Sequence, residues 1–187
     1  MELLRRALRL LVVACSGLIV SAQGLYAADA PTENQVQAVF LFNFSRFVEW
    51  PAQTFAAPNE PFVIGIVGSD PFGARLDEAV RNEQINGHAL TVRRFRSVSD
   101  LDNCQILFID RTEIGHLGQI LAALDHKSTL TVSQADGAAQ RGVMIQFATE
   151  NSRIRLRINV ESARAAGLTI SSKLLRPAEI VGADVKE

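Results

Sequence analysis

Between Pro31 and Pro51 the apolar positions recur every three or four residues, the spacing of an amphipathic helix. At about 100° per residue, Val36, Val39, Phe40, Phe44, Phe47 and Trp50 fall on one face, with Leu41 and Val48 at its flanks. Asn43 lies inside that face, so its amide needs hydrogen-bond partners. Phe42 points the other way, beside Arg46 and Glu49. Thr32 is placed to cap the start, with Gln35 as its reciprocal partner. Pro51 disfavours helical geometry at Trp50, which puts the predicted end there.

Beyond Pro61 the period changes. Phe62 to Val67 is a continuous apolar run, as expected of a strand buried on both faces. Gly68-Ser69 makes a turn, Asp70 caps a helix with Pro71 in its first position, and that helix runs to about Asn82. Asn86-Gly87 marks another turn. Strands follow at Ala89 to Phe95 and Cys104 to Ile109, then a helix from Thr112 to Leu124 and a strand at Thr129 to Val132. Asp136 to Arg141 reads as a turn or short helix. Val143 to Ala148 and Arg153 to Asn159 form a hairpin. Asn159 caps a short helix that ends at Gly167, and Leu168 to Leu175 is a last apolar segment. Strands alternating with helices and closing on a hairpin predict an α/β fold. It is a three-layer sandwich in which helices flank a mixed, partly parallel sheet.

The first 27 residues have a different layout. Arg5, Arg6 and Arg9 precede an apolar run from Leu10 to Val20 and then small residues ending in Ala27-Ala28, the pattern of a secretory signal peptide. That run is shorter than the roughly 20 residues of a membrane span. Val12-Val13-Ala14-Cys15 offers a second reading as a lipoprotein signal, with Cys15 lipidated. Residues 1–27 are therefore expected to be a leader and 32–187 a single domain. Removing Arg5, Arg6, Arg9 and Glu2 from 19 basic and 20 acidic residues leaves a net charge of −3, which argues against nucleic acid as a partner. Of the two cysteines only Cys104 remains, so no internal disulfide is available.

Candidate chemistry is sparse. No Gly-x-Ser-x-Gly elbow, Walker loop or Gly-x-Gly-x-x-Gly is present. His88, His116 and His126 lack metal-pair spacing, and no cofactor is implied. Ser171-Ser172-Lys173 sits among apolar neighbours and reads as packing. Gly68, Ser69 and Asp70 follow a buried strand, where backbone N–H groups attract small anions, but capping by Asp70 competes with that role. Arg153, Arg155 and Arg157 alternate with Ile154, Leu156 and Ile158, so three guanidiniums share one face of a strand. That row is either a solvated face that guards against edge pairing or a surface for an acidic partner or an anionic ligand. Arg93, Arg94 and Arg96 form a looser cluster with the same two readings. Ten Phe, one Trp and one Tyr make up the aromatic set, and five of these twelve lie between Phe40 and Trp50. Phe42 beside Arg46 and Glu49 has the composition of an interaction hot spot, or is covered by a loop or a second copy of the chain.

Several blocks together resemble the YfiR-like family of bacterial periplasmic proteins. They are Phe42 to Pro51, Phe62 to Gly73, Cys104 to Ile109, Gly142 to Ile145, and the tail from Arg157-Ile158-Asn159 to Ser171-Ser172-Lys173-Leu174-Leu175. The resemblance implies a non-enzymatic repressor that holds an inner-membrane diguanylate cyclase of the YfiN type inactive through its periplasmic region. It also implies capture of the repressor by an outer-membrane lipoprotein of the YfiB type, with cyclic di-GMP, biofilm and motility as the readout. The best-known members use disulfides, which this chain lacks after leader removal. The rival expectation is a periplasmic small-molecule sensor for another membrane signalling protein, with Gly68 to Phe72 as its crevice. A homodimer is a further expected partner.

Overall fold

The computed structural model describes residues 31–151 and 153–182. The expected leader and Cys15 lie outside them. The first helix, α1 (Glu33–Phe47), begins as its sequence dictates. The Thr32 hydroxyl accepts from the Gln35 N–H, and the Gln35 side chain accepts from the Thr32 N–H. It ends earlier than predicted, at Phe47. Val48 and Glu49 leave the helix to form β1 (Val48–Glu49), which pairs antiparallel with β9 (Thr169–Ile170).

The main sheet has eight strands. They are β2 (Phe62–Val67), β3 (Gln84–Ile85), β4 (His88–Phe95), β5 (Ile106–Ile109), β6 (Leu130–Ser133), β7 (Ile145–Glu150), β8 (Arg153–Asn159) and β10 (Glu179–Val181). Their order across the sheet is β10-β8-β7-β6-β5-β2-β4-β3. The central pairs are parallel, while the β7–β8 hairpin and the β3–β4 pair are antiparallel. The predicted mixed sheet and hairpin are therefore present. Two short strands were not anticipated. β3 closes onto β4 through the Asn86-Gly87 turn, where both residues have positive φ. β10 adds in parallel to β8.

Two hydrophobic layers cover the sheet. Phe62, Ile64 and Ile66 of β2 face one side, with α1, α2 (Ala74–Val80), α4 (Val160–Ala165) and α5 (Ser172–Leu175). Val63 and Val67 face the other, with α3 (Leu117–Ala123) and the connection around Val98 and Leu101. Gly65 belongs to the second side. A Cβ there would lie 2.7 Å from the Phe95 ring and 3.1 Å from Leu107 Cδ1, so the glycine makes room for the ring.

Helix α2 starts at Ala74, not at Pro71. The cause is local. Asp70 Oδ1 accepts from the N–H groups of Phe72 and Gly73, holding a separate turn ahead of the helix. Similarly, Arg111–His116 is a 3₁₀ turn capped by Asp110, and α3 begins only at Leu117.

The buried face of α1 is rotated from the predicted one. Its centre is Gln37, Ala38, Leu41, Phe44 and Ser45. Val39, expected inside, is 53% exposed, and Phe40 and Phe47 are half-buried flanks. Phe42, expected to point outward, is also half-buried against the core. Phe44 stacks on Phe147 of β7 at 5.8 Å, and Phe40 meets the same ring at 5.9 Å, which fixes the helix on the hairpin. Polar groups in this interface bond locally. Ser45 donates to the Phe42 carbonyl, and Gln37 donates to Glu33, which also accepts from Thr149 of β7.

This phase of α1 is tested by a pair of substitutions. Leu41→Ala should cost about 2–5 kcal/mol in urea denaturation, whereas Val39→Ala should stay within about 0.5 kcal/mol of the parent. The reverse ranking would restore the helix face read from the sequence.

Candidate functional site

A cavity of about 840 Å³ opens where α1 ends. Its walls come from the last turn of α1, β1, the segment 50–55, the start of β2 and the β3–β4 hairpin. Arg46 and Glu49, singled out from the sequence, both line it. Arg46 Nη2 donates to Glu83 Oε2 at 3.0 Å, and its guanidinium lies 4.6 Å from the Phe42 ring centroid. Phe42 is thus covered on one side by the core and on another by a cation. Glu49 is exposed and forms no ion pair among the described residues.

The aromatic wall of the cleft was not evident from the sequence. Trp50 meets Phe62 edge-on at 4.9 Å, and its Nε1 donates to the Gln105 carbonyl at 3.2 Å. The Gln105 side chain in turn accepts from the Val63 N–H at 2.6 Å, so one buried glutamine ties the cleft wall to β2. Phe55 stacks on His88, with centroids 3.7 Å apart and planes 12° from parallel. His88 Nδ1 lies 2.6 Å from the Glu60 carbonyl. A carbonyl can only accept, so Nδ1 carries a proton and donates to it. The cleft therefore offers a stacked aromatic pair that includes an imidazole, one carboxylate without an ion pair among the described residues and one paired guanidinium.

The second candidate surface lies elsewhere. Arg153, Arg155 and Arg157 occupy the face of β8 opposite Ile154, Leu156 and Ile158, and hence the side of the sheet that carries α3. Arg153 and Arg155 are exposed. Arg157 is held between Glu150 at 2.9 Å and Glu179 at 2.8 Å, and the hydrogen bond it donates to Glu179 is the main cause that raises its pKa further above the ordinary arginine value. Three strands, β7, β6 and β5, lie between β8 and β2, the nearest strand of the cleft, so the two groups of candidates form separate surfaces.

At Gly68, Ser69 and Asp70 the geometry is that of a cap. Both oxygens of Asp70 are used, Oδ1 by backbone N–H groups and Oδ2 by Arg94 Nε at 2.7 Å. Gly68 has φ near 89°, and a Cβ on it would lie 2.8 Å from Glu113 and 2.9 Å from Thr112. The turn after β5 therefore packs directly onto the carboxyl end of β2, where a doubly wound sheet would otherwise open a crevice.

Arg94 also reaches Asp77 at 2.6 Å, and Arg93 pairs with Asp102 at 2.8 Å, so two of the three arginines of this cluster are paired, while Arg96 is exposed and has no ion pair among the described residues. The Ser171 hydroxyl caps the Lys173 N–H at 3.3 Å. Among the described residues no three His, Cys, Asp or Glu gather as a metal site, and no helix is long and apolar enough to cross a membrane.

Two solution tests follow from this geometry. Burial pushes the Cys104 thiol up to about 12, so a chain prepared without residues 1–27, and hence without Cys15, should resist a thiol-specific chromophoric disulfide at pH 8 when native, and unfolding should release one equivalent. Hydrogen bonding to Arg94 holds the Asp77 carboxyl below the usual carboxylate range. A carboxyl lowered by folding stabilises above its unfolded pKa and loses that contribution as pH falls through its folded value. Arg94→Leu should therefore lower stability near neutrality, and its deficit in denaturation midpoint should shrink below about pH 4.

Among comparisons with known proteins, no curated protein matches the sequence. The sequence model of the YfiR/HmsC-like family, however, matches residues 34–179, which takes in both candidate surfaces. With a match across most of its length, the chain belongs to the YfiR/HmsC-like family.

Proposed function

We propose that this protein is a periplasmic regulator that binds the periplasmic sensor region of an inner-membrane diguanylate cyclase and holds that enzyme inactive. Family membership supports a regulator of diguanylate cyclase signalling. The observation that carries the contact assignment is the cleft at the end of α1, where Arg46 and Glu49 share a wall with an aromatic cluster. Such a mixture of aromatic and charged groups is what protein interfaces concentrate at their centres. The Arg153/Arg155/Arg157 row is the second contact in this reading and suits an acidic element of a partner.

A repressor of this kind works by differential affinity. It shifts the cyclase only as far as it binds the inactive state better than the active one. Moving a population from 99:1 active to 1:99 needs about a 10⁴-fold preference. Capture of the regulator by a lipoprotein of the outer membrane reverses the shift by mass action, with no chemistry on either protein.

The size of the cleft favours a second reading. At 840 Å³ it lies in the range of small-molecule sites, roughly 300–1,000 Å³, so the same wall could instead bind a small periplasmic ligand for a membrane sensor. Thermal-shift screening with nucleotides, amino acids and organic acids tests this, since a specific ligand raises the melting temperature.

For the main reading, Glu49→Arg and Phe42→Ala should each weaken pull-down of the cyclase sensor region by about 10-fold or more and raise cyclic di-GMP in cells. Arg153→Glu should do the same if the row is a contact. Unchanged binding and unchanged cyclic di-GMP in all three variants would remove both surfaces from the partner assignment.

A further inference from the structure

Three neighbouring strands, β5, β6 and β7, run parallel, so their carboxyl ends open on the same end of the sheet. The turn after β5 packs onto the end of β2, but a separate cavity of about 410 Å³ lies beyond the ends of these three strands. Arg111 follows β5, Gln134 and Asp136 follow β6, and Thr149 stands near the end of β7. Glu33 enters from the first turn of α1, and Arg141 from the 3₁₀ turn Ala139–Arg141 ahead of β7. The volume is that of a small-molecule site. The carboxyl ends of parallel strands are also where open α/β sheets hold their ligands.

Charges of both signs line this cavity without meeting. Elsewhere in the molecule Arg94 and Arg157 are each clamped between two carboxylates. Here Arg111 and Arg141 share a cavity with Asp136 and Glu33, and among the described residues neither arginine forms an ion pair with either acid. Three of the polar side chains are held in place by bonds of their own. Arg141 Nη2 donates to the Ile114 carbonyl at 3.0 Å, and Gln134 Nε2 donates to the buried Asp110 at 3.0 Å. Glu33 Oε1 accepts from Gln37 at 2.9 Å and from Thr149 at 2.7 Å. Each is thus fixed through one polar group and keeps another, namely the remaining N–H groups of Arg141, Gln134 Oε1 and Glu33 Oε2.

A molecule that fills this gap must accept from guanidiniums and donate to carboxylates. Two positive and two negative side chains balance, so the lining selects neither an anion nor a cation. A hydroxyl group both donates and accepts, and several hydroxyls on one small ring serve both kinds of side chain together. Ile114 gives the cavity an apolar side chain for the ring's C–H groups. We propose that this cavity binds a small neutral polyol, the size of a monosaccharide. The inference is independent of what the cleft at the end of α1 binds, because the two cavities share no lining residue.

Titrating the chain without residues 1–27 with D-glucose, D-galactose, D-xylose and myo-inositol, followed by amide chemical shifts in NMR, tests the proposal. The expected result is a saturable shift with at least one of these polyols at millimolar concentration, confined to the residues around Arg111, Gln134, Asp136 and Thr149. Arg111→Leu and Asp136→Asn, both at exposed positions, should each weaken that affinity about 10-fold and leave the melting temperature of the free protein unchanged. Glycine, a zwitterion, and succinate, a dianion, should give no saturable shift there. Absence of a saturable shift with every polyol overturns the proposal, and so does binding that both substitutions leave intact. Saturable binding of glycine or succinate in place of the polyols would assign the cavity to a charged ligand and overturn it equally.

Discussion

Strand β2 has no side left for water. All six residues from Phe62 to Val67 are buried, and successive side chains point to opposite faces. Each face must therefore be covered, and two layers of helix and turn are the consequence. Because β2 lies between β4 and β5, the chain must leave it on one side through α2 and return on the other past Val98 and Leu101. Gly65 allows the Phe95 ring to fill the second face, and Gly68 allows the turn after β5 to close the carboxyl end. The groove that many doubly wound folds use for ligands is thereby packed shut. The open cavity lies instead beside the end of α1 and the start of β2.

That relocation depends on how α1 is anchored. Its aromatic flank locks onto Phe147 of the projecting hairpin, while Glu33 accepts from both Gln37 and Thr149. The helix is thus held at its first turn by polar bonds and along its length by rings. Its last turn delivers Arg46 to the cleft, and the change of direction at Val48 turns Glu49 outward beside it. Within α1, Gln37 Oε1 is buried and has no hydrogen-bond partner among the described residues, a local cost.

What could be read from the sequence was mostly what short-range rules control. The Thr32–Gln35 capping box, the apolar runs of β2 and β5, the hairpin at Glu150-Asn151 and the Asn159 cap each depend on residues within a few positions of one another. The phase of α1 was misjudged because bulky rings on both flanks drew the predicted face toward Val39. The true centre includes Gln37 and Ser45, polar residues whose bonds are made within the helix. β10 has too few residues to show a period. In the cleft, Arg46 and Glu49 were legible as neighbours in one segment. The Phe55–His88 stack and the Trp50–Gln105 bond join distant parts of the chain, and no local pattern announces them.

The single indole of this protein stands in the wall of the cleft at the end of α1, with its ring against Phe62 and its N–H on a main-chain carbonyl. Emission from that one fluorophore depends on the polarity next to it. An occupant that displaced water there would shift the spectrum without any label being attached. The molecule thus carries its own optical gauge at the place where recognition is proposed.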